Sequence, residues 1–142
     1  MADIFATIAD SNAQRNRLHA LQSYRKQTAL IPLWPKAWLN LLSIKIELNQ
    51  YDKELYHTYN QVKLTSNHNP EVTPLFIQLG IQAWQKLNNK TKSDMLRVIT
   101  QQATSGPKNA KKLKPILQAN NLLALTCMYA KATKQNTYNL CK

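Results

Sequence analysis

Apolar residues in this chain recur at three- and four-residue intervals, and no segment alternates apolar and polar over a strand's length. The pattern predicts helix after helix. A first helical region runs from Ala2 to Leu30, with a break expected near Asp10-Ser11-Asn12 and a stripe of Leu18, Leu21, Tyr24 and Thr28. Pro32 and Pro35 stop it and restart the chain, Pro35 suiting a first helical position where its missing N–H has no partner to lose. The next helix, Lys36 to Asn49, is apolar on most sides through Trp38, Leu39, Leu41, Leu42, Ile44, Ile46 and Leu48, so it is expected to be sandwiched.

A third helix spans Tyr51 to Thr65, with Leu55, Tyr59 and Val62 as its stripe. After a turn at Ser66-Asn67-His68-Asn69, the Asn69-Pro70-Glu71 order signals another start, Pro74 falling within the tolerated first turn. Leu75, Phe76, Leu79, Ala83 and Trp84 follow. Asn88-Asn89 reads as a turn, and Thr91 or Ser93 as the cap of a helix carrying Met95, Leu96, Val98 and Ile99. Gly106-Pro107 stops that helix. A basic helix from Asn109 to Gln118, disturbed at Pro115, and an apolar one from Asn121 to Lys134 complete the chain.

The 142 residues, 44% of them apolar, suffice for one packed domain over 1–142, with hairpins over 12–105 and a basic cap over 106–142. Two glycines are too few for a turn-rich β protein or a phosphate-cradling loop. No stretch is long and apolar enough to span a membrane, and Met1-Ala2-Asp3-Ile4-Phe5 is not a signal peptide.

The net charge of +12 is unevenly placed. Up to Gln85 there are eight basic and six acidic residues; beyond it there are eleven basic residues and the single acid Asp94. Lys108, Lys111, Lys112 and Lys114 form the densest basic stretch and are the candidate polyanion-binding set, for nucleic acid, lipid headgroups or an anionic glycan. A solvated lysine face is the plainer reading, because Arg97 is the sole arginine there and arginine is the usual two-bond phosphate grip.

A longer period underlies the helices. Pro32, Trp38 and Leu41 recur as Pro70, Phe76 and Leu79-Gly80, an offset of 38 residues. This resembles the tetratricopeptide repeat, a helix pair of about 34 residues. Ala20, Tyr24 and Pro32 match the end of one repeat, Trp38, Leu41 and Tyr51 the next, and Phe76, Leu79, Gly80 and Ala83 the start of a third. Leu42, Lys45 and Glu54 depart from the pattern, which wants a small residue, an aromatic and an alanine there, so the helices of the second repeat are expected to pack farther apart.

The resemblance implies an all-α, degenerate array of six to eight helices in antiparallel hairpins, whose first helices line a concave groove. In its register Lys36, Asn40, Ser43 and Glu47 line the groove from the second repeat, and Gln78, Ile81, Trp84 and Gln85 from the third. A protein segment is the expected occupant.

A second likeness runs through Trp34-Pro35-Lys36-Ala37-Trp38-Leu39-Asn40-Leu41, Asn69-Pro70-Glu71-Val72, Leu79-Gly80-Ile81-Gln82-Ala83-Trp84 and Leu123-Ala124-Leu125-Thr126-Cys127. It resembles the VpsP-like polysaccharide biosynthesis accessory proteins of bacterial exopolysaccharide and O-antigen clusters. That implies a non-enzymatic adaptor of the periplasm or cell envelope in a chain trimmed of its N-terminus, or of the cytoplasm in a full-length one. Its implied partner is a polysaccharide-assembly component.

Little else suggests chemistry. His19, His57 and His68 lack metal-ligand spacing, and no metal or cofactor is expected. Asp52 and Glu54 are expected on different helix faces and so make no acid/base pair. Cys127 and Cys141 fit neither a zinc nor a redox motif, and are either a bridge pinning the C-terminal tail or two thiols. Trp38 is expected in the core, and Trp34 and Trp84 at exposed positions.

Overall fold

The computed structural model describes residues 2–66 and 69–142, with side chains from residue 10 onward. The described residues are all-α: α1 Ala2–Leu30, α2 Pro35–Glu47, α3 Lys53–Ser66, α4 Thr73–Ala83, α5 Asn89–Ala103, α6 Pro107–Ala119 and α7 Leu123–Ala132, with a 3-10 turn at Trp84–Lys86. The chain divides within α4 into two compact units, 1–79 and 80–142. That boundary, rather than one near 105, separates a unit of net +2 from one of net +10.

α1 runs without the break expected at Asp10-Ser11-Asn12. These residues compete for backbone hydrogen bonds but cost a helix interior only tenths of a kcal/mol each, about 0.7 at most, which neighbouring turns absorb. α2 starts on Pro35 as predicted. α3 starts two residues later than its stripe suggests, because Asp52 is its cap and its Oδ1 accepts the Leu55 N–H at 3.0 Å. α4 starts at Thr73, after a turn in which Asn69 Oδ1 accepts the Glu71 N–H at 2.9 Å. Asn88, not Thr91 or Ser93, caps α5, accepting the Thr91 N–H at 2.8 Å. α5 ends at Ala103 with Thr104 as its C-cap; Gly106, expected to stop it, is instead the N-cap of α6, which has Pro107 in its first turn and continues through Pro115. Asn67 and His68 of the predicted turn lie outside the described residues.

Three helices end on the same device. Asn49, Asn121 and Lys134 adopt left-handed φ of 58°, 58° and 56°. The next residue donates back five positions: Gln50 to Lys45, Leu122 to Leu117 and Gln135 to Ala130, at 3.0, 2.8 and 2.8 Å. In a chain with two glycines, asparagine takes the left-handed position twice.

In unit 1–79, α2 packs against both α1 and α3. Leu21 of α1 meets Leu41 and Ile44 of α2, with Ala20, Tyr24, Trp38 and Leu48 at the edge of that cluster. Leu55, Tyr59 and Val62 carry the buried face of α3, and Tyr59 meets Phe76 at 4.9 Å between ring centroids. Trp38 is half-buried: its Nε1–H donates to the Pro32 carbonyl at 2.7 Å, and His57 stands edge-on to it at 5.7 Å.

Lys45 is completely buried. Its ammonium donates to Gln50 Oε1, Asp52 Oδ2 and Glu54 Oε1 at 2.9, 2.7 and 2.9 Å. Arg25 of α1 closes the cluster, donating to both Glu54 oxygens at 2.8 and 2.6 Å. The two residues that break the repeat pattern, Lys45 and Glu54, are therefore partners.

In unit 80–142, α5, α6 and α7 pack against one another around Met95, Ile99, Leu113, Leu117 and Ala130. A Cβ on Gly80 would overlap the side chain of Met95, so the glycine is what lets Met95 seat fully. The buried hydroxyls of Thr100 and Thr126 donate to the carbonyls of Leu96 and Leu122 at 2.7 and 2.8 Å. Cys127 of α7 is bridged to Cys141, Cα atoms 5.8 Å apart, and Leu140 beside it is buried.

Stranding the buried ammonium should cost more than removing it. Glu54→Gln is expected to lose about 3 kcal/mol, near the lower end for a buried charge that loses one partner. Lys45→Met should lose less, because the carboxylates left behind reach water. Urea denaturation of both variants checks the order. Reduction of Cys127–Cys141 should lower stability by ~3 kcal/mol on the chain-entropy model, read by denaturation with and without reductant.

Candidate functional site

The predicted groove residues separate on the structure. Asn40, Ser43 and Glu47 recur at three- and four-residue steps on α2 and face α1, where Arg17, Ala20 and Tyr24 recur at the same steps with Asn16 beside them. Together they line an open cleft of about 300 Å³ with Ala20 and Ile44 between them. Arg17 Nε lies 3.8 Å from Glu47 Oε2, an exposed pair of the kind worth only about 0–1 kcal/mol.

The remaining groove positions do not line this cleft. Lys36 is exposed on the first turn of α2, and Gln78 is exposed on α4. Ile81 is 7% exposed and belongs to the core. It is buried within α4, so the repeat register misassigns it. Gln85 is exposed, and Trp84 is half-buried with the Lys92 ammonium 6.0 Å from its ring centroid. Trp34 is exposed as predicted. The family pattern held no signal for Asn16 or Arg17, which precede its first matched residue; their spacing from Ala20 and Tyr24 did.

The basic set also divides. Lys108, Lys111 and Lys112 are exposed on α6. Lys114 instead donates to the carbonyls of Asn139 and Lys142 at 3.2 and 2.8 Å. It holds the tail that the disulfide also pins, so it does not stand with the outward lysines. Asp94, the acid of this unit, lies 3.6 Å from Arg97.

Asp52 and Glu54 are not on separate faces. Asp52 precedes α3 as its cap, Glu54 lies in its first turn, and both accept from one ammonium. The Arg25 hydrogen bond, followed by that of Lys45, outweighs burial and brings the Glu54 carboxyl down to about 2. Burial acts to raise the Asp52 carboxyl, but the Lys45 and Leu55 N–H bonds together leave it below the usual carboxylate range. The Glu54 hydrogen bond raises the Arg25 guanidinium. Both acids are thus held as anions, a structural state rather than one that exchanges protons near neutrality. Among the described residues, no three His, Cys, Asp or Glu side chains gather as a metal site.

The depressed Glu54 carboxyl has a pH signature. The unfolded chain protonates near 4.5 and the folded chain near 2, so in between the unfolded state binds more protons. The stabilisation should be complete above pH about 4.5 and lost as pH falls toward about 2. Thermal unfolding across that range checks it, and Glu54→Gln should flatten the dependence. Comparisons with protein-family models, curated proteins and solved structures return no match for this chain.

Proposed function

We propose that this chain is a non-enzymatic adaptor that holds a segment of a partner polypeptide in the α1–α2 cleft. The observation that carries the reading is the convergence of Asn16, Asn40, Ser43, Arg17 and Glu47 on one opening. Asparagine offers the donor and acceptor that a peptide group lacks a match for once it leaves water. Arg17 supplies a two-bond grip for a carboxylate, and Glu47 accepts from a cation. Their mutual pairing is weak and exposed, so a partner displaces it at little cost. Tyr24, Ala20 and Ile44 give an apolar floor.

The likeness to VpsP-like accessory proteins supports placing this adaptor in bacterial envelope polysaccharide assembly. A second reading follows from the +10 balance of residues 80–142: Lys108, Lys111 and Lys112 form a face for nucleic acid or an anionic glycan.

A photo-crosslinking residue at Ser43, in cells, tests the first reading. It is expected to trap one polypeptide that the same residue at exposed Gln22 does not, and Arg17→Glu should abolish the product. Equal labelling at both positions would overturn the assignment. For the second reading, anisotropy of labelled nucleic acid is measured at two salt concentrations. Lys108→Gln with Lys111→Gln and Lys112→Gln should reduce the log–log salt slope by roughly 2–3, near 0.9 for each phosphate no longer neutralised. An unchanged slope would remove that face from consideration.

A further inference from the structure

We propose that the turn joining α1 to α2 is a membrane-docking tip that enters the headgroup region of an anionic lipid bilayer. The last residue of α1, Leu30, and the four that connect it to α2, Ile31-Pro32-Leu33-Trp34, carry no charge. Leu30 and Leu33 are 81% and 84% exposed, the highest values among the described large apolar side chains. Ile31 and Trp34 follow at 49% and 41%. Single exposed leucines are ordinary on protein surfaces; four large apolar side chains at one turn, with no polar residue among them, are not.

The tip is held in place. The Trp34 N–H donates to the Ile31 carbonyl at 3.1 Å, closing a tight turn with Pro32 in its second position. The Ile31 N–H donates to the Gln27 carbonyl at 2.8 Å, and the Trp38 indole donates to the Pro32 carbonyl at 2.7 Å. These bonds fix the backbone of the turn. A rigid apolar tip presents a projection, not a groove, and a fluid apolar medium accommodates a projection without a complementary pocket.

The surrounding charge selects the lipid. Lys26, one turn before the tip, and Lys36, just after it, are both exposed. From Ser11 to Ile46 the sequence contains no acidic residue; of its six basic ones Lys26 and Lys36 flank the tip, while Lys45 is buried and Arg25 is held by Glu54. Lysines beside an apolar insertion pair with anionic headgroups, and a tryptophan ring settles at the same depth. Among the described residues no helix is long and apolar enough to cross a bilayer.

Flotation with vesicles of phosphatidylcholine containing phosphatidylglycerol tests the proposal. The wild-type chain is expected to float with these vesicles and much less with phosphatidylcholine alone. Leu30→Ser with Leu33→Ser should lower partitioning at least about tenfold. Leu33→Ser alone, confined to the turn, should lower it with unchanged circular dichroism. Brominated lipid should quench tryptophan emission, and Trp34→Phe should remove most of that quenching. Failure of the wild-type chain to float would overturn the proposal. So would binding that survives the leucine substitutions but is lost on replacing Lys108, Lys111 and Lys112 by Gln, which would assign it to α6 charge alone. Loss of self-association in sedimentation, rather than of flotation, would instead assign the tip to a second copy of this chain.

Discussion

An ammonium group removed from water must find acceptors for its three hydrogens, and the architecture of residues 1–79 is organised around meeting that demand at Lys45. The acceptors come from three different local structures. Gln50 follows the left-handed turn at Asn49, Asp52 is the cap of α3, and Glu54 belongs to its first turn. None of these positions is free to move by one residue without emptying an acceptor site. Arg25 then ties α1 to the same carboxylate. Nonspecific apolar packing would tolerate several rotations of α2 against α1 and α3; this cluster tolerates one.

The helices themselves were legible, because their signals are local: apolar spacing, and Pro35 at a helix start. Helix ends were less so. Asp52 and Asn88 read as helix or turn residues until their side chains are seen accepting the N–H three positions on. The burial of Lys45 was not legible, since lysine is among the residues least often fully buried. Yet its trace was present: the repeat pattern fails at residue 45 and again at residue 54, with opposite charges. Two failures of opposite sign, in facing helices, signal an ion pair rather than looser packing.

The cleft shows the converse. Asn40, Ser43 and Glu47 share one face of α2, because one helix's periodicity is intrinsic; repeat register does not carry over in the same way to α4. It misplaced Ile81, because which sides of α4 are buried depends on what packs there. Lys114 fails for a related reason. Composition counts it with its neighbours, but its partners are carbonyls of a tail twenty-five and more residues away.

The Lys45 cluster also bears on how this sequence can drift. Losing an acceptor while Lys45 remains leaves the buried charge worse off than if the whole set were absent, so paths that lose an acceptor first pass through intermediates less fit than either end. Positions 25, 45, 52 and 54 should therefore be inherited as a block. Descendants of this chain should either keep the full set or have exchanged it for apolar residues, with mixed combinations rare.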